Sequence, residues 1–160
     1  MNHNVKTASD DRSVERCFAA MRELRPHLPD AADLVARVRR QREQAGYRLA
    51  YVEDDRGAVA ACAGFRVTEF LAWGKVLYVD DLVTAAAARG HGLGQALMAW
   101  LADEARRLGC DAVHLDSGPQ RLAAHRLYHK VGMNITAYHF AKPVSEHPGG
   151  SGVPGPVTGS

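Results

Sequence analysis

The chain has 160 residues, 46% of them hydrophobic and 24% charged, with a net charge of +2. That length suits one domain with a single core, in proportions ordinary for a globular protein. So small a net charge gives no drive towards nucleic acid or an anionic membrane. No apolar stretch is long enough to span a bilayer, and the opening MNHNVKTASDDR has no apolar leader segment, so the expected location is cytoplasmic. Three cysteines, Cys17, Cys62 and Cys110, stand far apart in apolar surroundings with no CxxC pair. Reduced, partly buried thiols are expected.

In chain order, a short strand is predicted around Asn4–Ala8, then a helix capped by Ser13 and running to about Leu24. Pro26 and Pro29 interrupt it, and Asp30 opens a second helix, AADLVARVRRQREQAG, stopped by Gly46. YRLAYVEDDRGAVAACAGFRVTEF reads as a hairpin turning at Asp54–Gly57, and KVLYVDDLVT as the next strand. Beyond Gly92 the period becomes helical, with Leu93, Leu97, Trp100, Leu101 and Leu108 on one side. DAVHLDS is a strand, PQRLAAHRLYHKVG a helix and NITAYHFAK a last strand. Residues 1–145 form the expected domain, and 146–160, rich in Gly, Pro and Ser, an expected disordered tail. The fold class is α+β, sandwich-like: a mixed, mainly antiparallel sheet with helices on both faces and one right-handed crossover making two strands parallel.

The stretch Arg89-Gly90-His91-Gly92-Leu93-Gly94-Gln95 lies between a strand and a helix. A helix N-terminus offers N–H groups with no intrahelical partner and a positive dipole end, and glycines let those donors approach an anion closely. Arg89 adds a charge suited to phosphate. A P-loop would need Gly-Lys-Ser/Thr, and the dinucleotide fingerprint a glycine at position 97, where Leu97 stands. A flexible capped loop would explain the glycines alone.

Arg89, Gly92 and Gly94 do satisfy R/Q-x-x-G-x-G/A, and with VDDLVTAAAARGHGLGQALM, HLDS and RLAAHRLYHKVGM in order the chain resembles the GNAT superfamily of acetyl-CoA-dependent N-acetyltransferases over about residues 47–141. The resemblance implies transfer of acetyl from acetyl-CoA to a primary amine in a ternary complex. Arg89, Gly90, His91, Gly92, Leu93, Gly94 and Gln95 would hold the pyrophosphate. Leu82, Val83 and Thr84 would bind pantetheine through their backbone, where the parallel pair splays in relatives. Tyr128 matches the tyrosine that serves the CoA sulfur. Where the family has Asn seven residues earlier this chain has Arg121, which could reach a phosphate instead, while Ala124 keeps the pattern.

The reaction needs a proton acceptor, because an alkyl ammonium with a pKa of about 10 is scarcely nucleophilic at neutral pH. Asp80 and Asp81 interrupt the apolar strand YVDDLV. Strand alternation predicts that one faces the acceptor cleft and the other points away. Many family members carry an acid at the place of Asp80, which makes it the first candidate base or ammonium anchor. Asp81 is the second and Glu69 a third.

His125 and His129 share a helix face without the Glu of a zinc-protease signature, so no metal site is expected. His114 and Asp116 share a strand face near the cleft. RVRRQRE at 37–43 reads as a solvated helix face and not a nucleic-acid surface. The acceptor expected is a small-molecule amine, with lysine or N-terminal protein acetylation and a non-catalytic acyl-CoA-binding module as alternatives. A homodimer is one arrangement the resemblance allows.

Overall fold

A computed structural model describes residues 3–144. Its sheet runs in the order β1 (Val5–Thr7), β2 (Arg48–Glu53), β3 (Val59–Phe70), β4 (Gly74–Thr84) and β5 (Ala112–Leu115). The first three pairings are antiparallel and β4–β5 is parallel, as one crossover requires. The β2–β3 turn is fastened by Asp54, whose Oδ1 accepts the N–H groups of Arg56 and Ala58 at 2.9 Å each.

The predicted first helix is two. Asp10, not Ser13, is the cap: its carboxylate accepts the Ser13 N–H at 2.8 Å while Ser13 Oγ accepts the Asp10 N–H at 3.2 Å, a reciprocal box. Helix α1 (Asp11–Arg16) then breaks at Cys17, and α2 (Phe18–Leu24) continues from it. Helix α3 (Ala31–Ala45) starts on Asp30 and ends on Gly46, which takes the left-handed conformation that favours glycine.

These three helices cover one sheet face, where Val14, Cys17, Met21, Leu34 and Val38 pack against Leu49, Tyr51, Cys62 and Val83. Helix α4 (Leu93–Arg107) covers the other, setting Leu93, Leu97, Met98, Leu101 and Ala105 against Ala61, Ala63, Phe65, Leu77 and Val79. Each large side chain withdrawn from water contributes about 1.5–3 kcal/mol, so both layers hold the sheet firmly. Helix α5 (Leu122–Lys130) lies beyond β5 in the chain, half-buried on its inner side.

The predicted last strand does not form. Residues 134–144 have no regular structure, and Ile135, Tyr138 and Phe140 are exposed. Alternation makes a strand only where a ladder partner exists, and among the described residues β5 pairs with β4 alone. The expected tail at 146–160 lies outside the described residues. Among the described residues no helix is long and apolar enough to cross a membrane.

Candidate active site

The β3–β4 register passes from Gly64 opposite Asp81 to Phe65 opposite Val79, so Asp80 is one extra residue in β4. Such a bulge re-aims the side chains around it. The expectation that Asp80 and Asp81 point to opposite faces is therefore wrong: the added residue resets the alternation, and both carboxylates meet partners on the face covered by α1–α3.

The two acids are held differently. Asp80 faces Arg66, whose Nε lies 3.0 and 3.1 Å from the two carboxylate oxygens and whose Nη2 donates to Oδ2 at 2.5 Å. Arg66 also donates to Gln41 Oε1 on α3 at 2.8 Å and lies over the Tyr47 ring. Asp81 accepts from Arg25 Nε at Oδ1 and from the Tyr47 hydroxyl at Oδ2, both at 2.8 Å. Arg25 reaches on to the Asp80 carbonyl oxygen at 2.9 Å, tying the bulge down from the end of α2. Gly64 makes this possible. A Cβ there would overlap the Tyr47 hydroxyl and sit 2.7 Å from Asp81 Oδ2.

Electrostatics separate these groups further. Burial raises the Asp80 carboxyl above its ordinary range, against the hydrogen bond and charge of Arg66, which lower it. The Tyr47 phenol is pushed well above its usual value by burial first and then by the Asp81 charge, so it stays a donor.

At Val79 the parallel ladder to β5 stops, yet β4 continues to Thr84. Among the described residues, the backbone groups of residues 80–84 on that side have no strand partner. Leu82 and Val83 spend their side chains on the two core layers, one on each face. After a 3-10 turn at Ala86–Ala88 comes the glycine loop. Gly90 and Gly92 are left-handed, with φ of 82° and 77°, and nothing lies within 4 Å of a Cβ built on either. Gly92 caps α4 with no side-chain hydrogen bond, and the first α4 N–H with a backbone partner there is that of Ala96. The donors of Leu93, Gly94 and Gln95 thus open a bare, positive cradle.

The acetyltransferase (GNAT) family model matches residues 14–133. The chain belongs to the GNAT family. It is an acyltransferase by that membership. It is 36% identical over 146 residues to an uncharacterized N-acetyltransferase of Bacillus subtilis, YhdJ, covering 90% of this chain and all of that one. It is 33% identical over 64 residues to an aminoalkylphosphonate N-acetyltransferase of Salmonella typhimurium, 40% of this chain and 42% of that one. Among solved structures it resembles a Trypanosoma brucei acetyltransferase, with a TM-score of 0.71 at 22% identity over 88% of this chain and 99% of that one.

Within this GNAT chain the cradle is suited to an anion: it offers unpaired N–H groups, glycines that leave room for close approach, and Arg89 beside them. Arg89 Nε donates to the Thr84 carbonyl at 3.3 Å. His91 turns its ring towards the Ala88 carbonyl, 3.2 Å away, so the loop would meet an anion through its backbone. Gly94 is also tight: a Cβ would lie 2.9 Å from Leu127 of α5.

Tyr128 is half-buried on α5. Burial raises its phenol above the usual value, and the charge of Arg121 at the head of the same helix works against that rise. Ala124 lies one turn earlier, also half-buried. Glu69 does not join the group: it pairs in register with Lys75 at the exposed end of the hairpin, on the opposite face from Arg66. Nor do the histidines converge. His125 Nε2 is 3.1 Å from Ser117 Oγ, His129 Nδ1 is 3.2 Å from the Met133 carbonyl, and the described residues hold no cluster suited to a metal ion. Tyr78 donates to Asp116, and His114 stacks on Trp73.

Sequence reasoning passed over Arg25, Tyr47, Gly64 and Arg66. One signal was available, a glycine inside the strand AACAGFRV, which marks a bulge or a close approach.

Proposed function

We propose that this enzyme transfers the acetyl group of acetyl-CoA to a primary amine by direct attack, in the cytoplasm. The juxtaposition carrying the reading lies along one strand: β4 holds the acid bulge in its middle and leads at its end into the uncapped glycine cradle. When bound, acetyl-CoA supplies an activated thioester. Asp80 accepts the proton of the substrate ammonium, directly or through water, and is the better candidate base because burial raises its pKa towards the working range. Asp81, with both oxygens engaged, holds the bulge in place. As the amine nitrogen bonds to the acetyl carbon and the carbon–sulfur bond breaks, Tyr128 gives its phenolic proton to the sulfur, and the second proton that the nitrogen loses on becoming an amide restores the phenol through water. A backbone N–H at Leu82 or Val83 stabilises the developing oxyanion, and Arg121 and Ala124 line the donor side.

A small-molecule acceptor is favoured by the partial likeness to an aminoalkylphosphonate N-acetyltransferase. The deciding experiment measures thiol release from acetyl-CoA with simple amines, aminoalkylphosphonates, amino acids, polyamines, aminoglycosides and lysine peptides. Stimulation by a small amine supports the reading, and stimulation by peptides alone moves the acceptor to protein. If CoA binds and no acceptor stimulates release, the proposal fails.

A further inference from the structure

The arginine of the glycine loop already has an anionic neighbour inside the protein. Glu23, near the end of α2, sends its carboxylate across to the turn preceding the loop, where Oε2 accepts the Ala86 N–H at 2.8 Å. The same Oε2 lies 3.7 Å from Arg89 Nη2. The Glu23 and Arg89 side chains are 38% and 66% exposed, so an anion in solution can reach the pair.

We propose that Glu23 is an internal competitor for Arg89 that lowers affinity for the pyrophosphate of CoA, a role that rests on the donor site assigned above to the glycine loop. Holding the Ala86 N–H requires only a neutral oxygen, so the hydrogen bond does not account for a full negative charge. That charge occupies a place an anionic ligand would want: it pairs with Arg89 at 3.7 Å and repels an incoming phosphate. A pyrophosphate entering the cradle has to take Arg89 from Glu23. Exposed ion pairs are weak, so the competition is expected to cost a few-fold in affinity and not orders of magnitude. Glu23 is thus a positioning residue that tunes donor binding without touching the acetyl group. Two residues further on, Arg25 holds the acid bulge, so one helix end braces both halves of the site.

Calorimetric binding of CoA and of pantetheine, which lacks the pyrophosphate, tests this with Glu23→Gln, Arg89→Gln and the double variant. Glutamine keeps an acceptor for the Ala86 N–H and removes only the charge. The expected result is CoA binding about two- to fivefold tighter in Glu23→Gln, pantetheine binding unchanged, and no gain once Arg89 is also replaced. Unchanged or weaker CoA binding in Glu23→Gln overturns the proposal, as does an equal gain for pantetheine, which would mean a general loosening of the loop. The two readings fail separately. If Arg89→Gln weakens CoA while Glu23→Gln brings no gain, only the competitor role is lost. If Arg89→Gln binds CoA as well as the unaltered chain does, the donor-site assignment falls and takes the competitor with it.

Discussion

The Tyr47 hydroxyl reaches Asp81 Oδ2 at 2.8 Å only because residue 64 has no side chain. An added methyl would overlap the phenol oxygen and stand 2.5 Å from the ring carbon that bears it. Tyr47 is buried and cannot swing into solvent. Gly64→Ala must therefore move the ring and break the bond to Asp81. Overpacking and an orphaned buried polar group each cost about 1–3 kcal/mol, so a loss of about 2–4 kcal/mol is expected in denaturant unfolding. The same change in a Tyr47→Leu background should cost markedly less. A loss under about 1 kcal/mol in the unaltered background would contradict this account of the bulge.

Asp80 and Arg66 yield a signed pH prediction. The proposed base must be ionised, so kcat/KM should rise as pH rises through the Asp80 pKa. Burial holds that pKa above the ordinary carboxylate value, and Arg66 restrains the rise by hydrogen bond and charge. Arg66→Gln removes the restraint, so the acidic limb should move to higher pH with the plateau less affected. Asp80→Asn should abolish the limb and lower the rate about 10²–10⁴-fold. An acidic limb that stays in place in Arg66→Gln would separate Asp80 from the titration.

The contrast between Asp80 and the loop at 89–95 explains what a sequence can disclose. The loop is a contiguous device: its glycines, its arginine and the start of the following helix lie within ten residues, and the left-handed glycines and the helix start fall where that local pattern puts them. The turn at Asp54–Gly57 and the stop at Gly46 are local in the same way. The acid pair was visible as two carboxylates in an apolar strand, but its geometry depends on residues distant in the chain. Arg25 lies 56 positions from Asp81, Tyr47 lies 34 away, and Arg66 is 14 from Asp80. No periodicity reports such pairs, and a bulge of one residue reverses every facing argument built on alternation. NITAYHFAK failed for a related reason, since a strand also needs an edge to join.

Tyr128 makes a prediction about the leaving sulfur. Its burial raises the phenol above its usual value, so it stays protonated at neutrality as a proton donor requires, and the Arg121 charge offsets part of that rise. Tyr128→Phe should retain the fold and CoA affinity while lowering kcat about 10²-fold or more. Arg121→Gln should move any basic limb of the pH–rate profile upward, because the charge that favours the phenolate is gone. Undiminished turnover in Tyr128→Phe would remove the acid role.

The cysteines provide a test independent of catalysis, and one that bears on the thiol-release assay. Cys17 and Cys62 have no exposed surface, whereas Cys110 is only partly buried. Burial pushes the Cys17 thiol up to about 12 and the Cys62 thiol well above its usual value. The thiolate is the reactive form, so at pH 8 the buried Cys17 presents very little of it. A thiol reagent added to the folded protein should therefore titrate one group per chain promptly, and the other two only after guanidinium unfolding. Cys110→Ser should erase the prompt phase and leave the slow one. Three thiols reacting together under native conditions would mean that the layer of α1–α3 over the sheet opens far more readily than its packing implies.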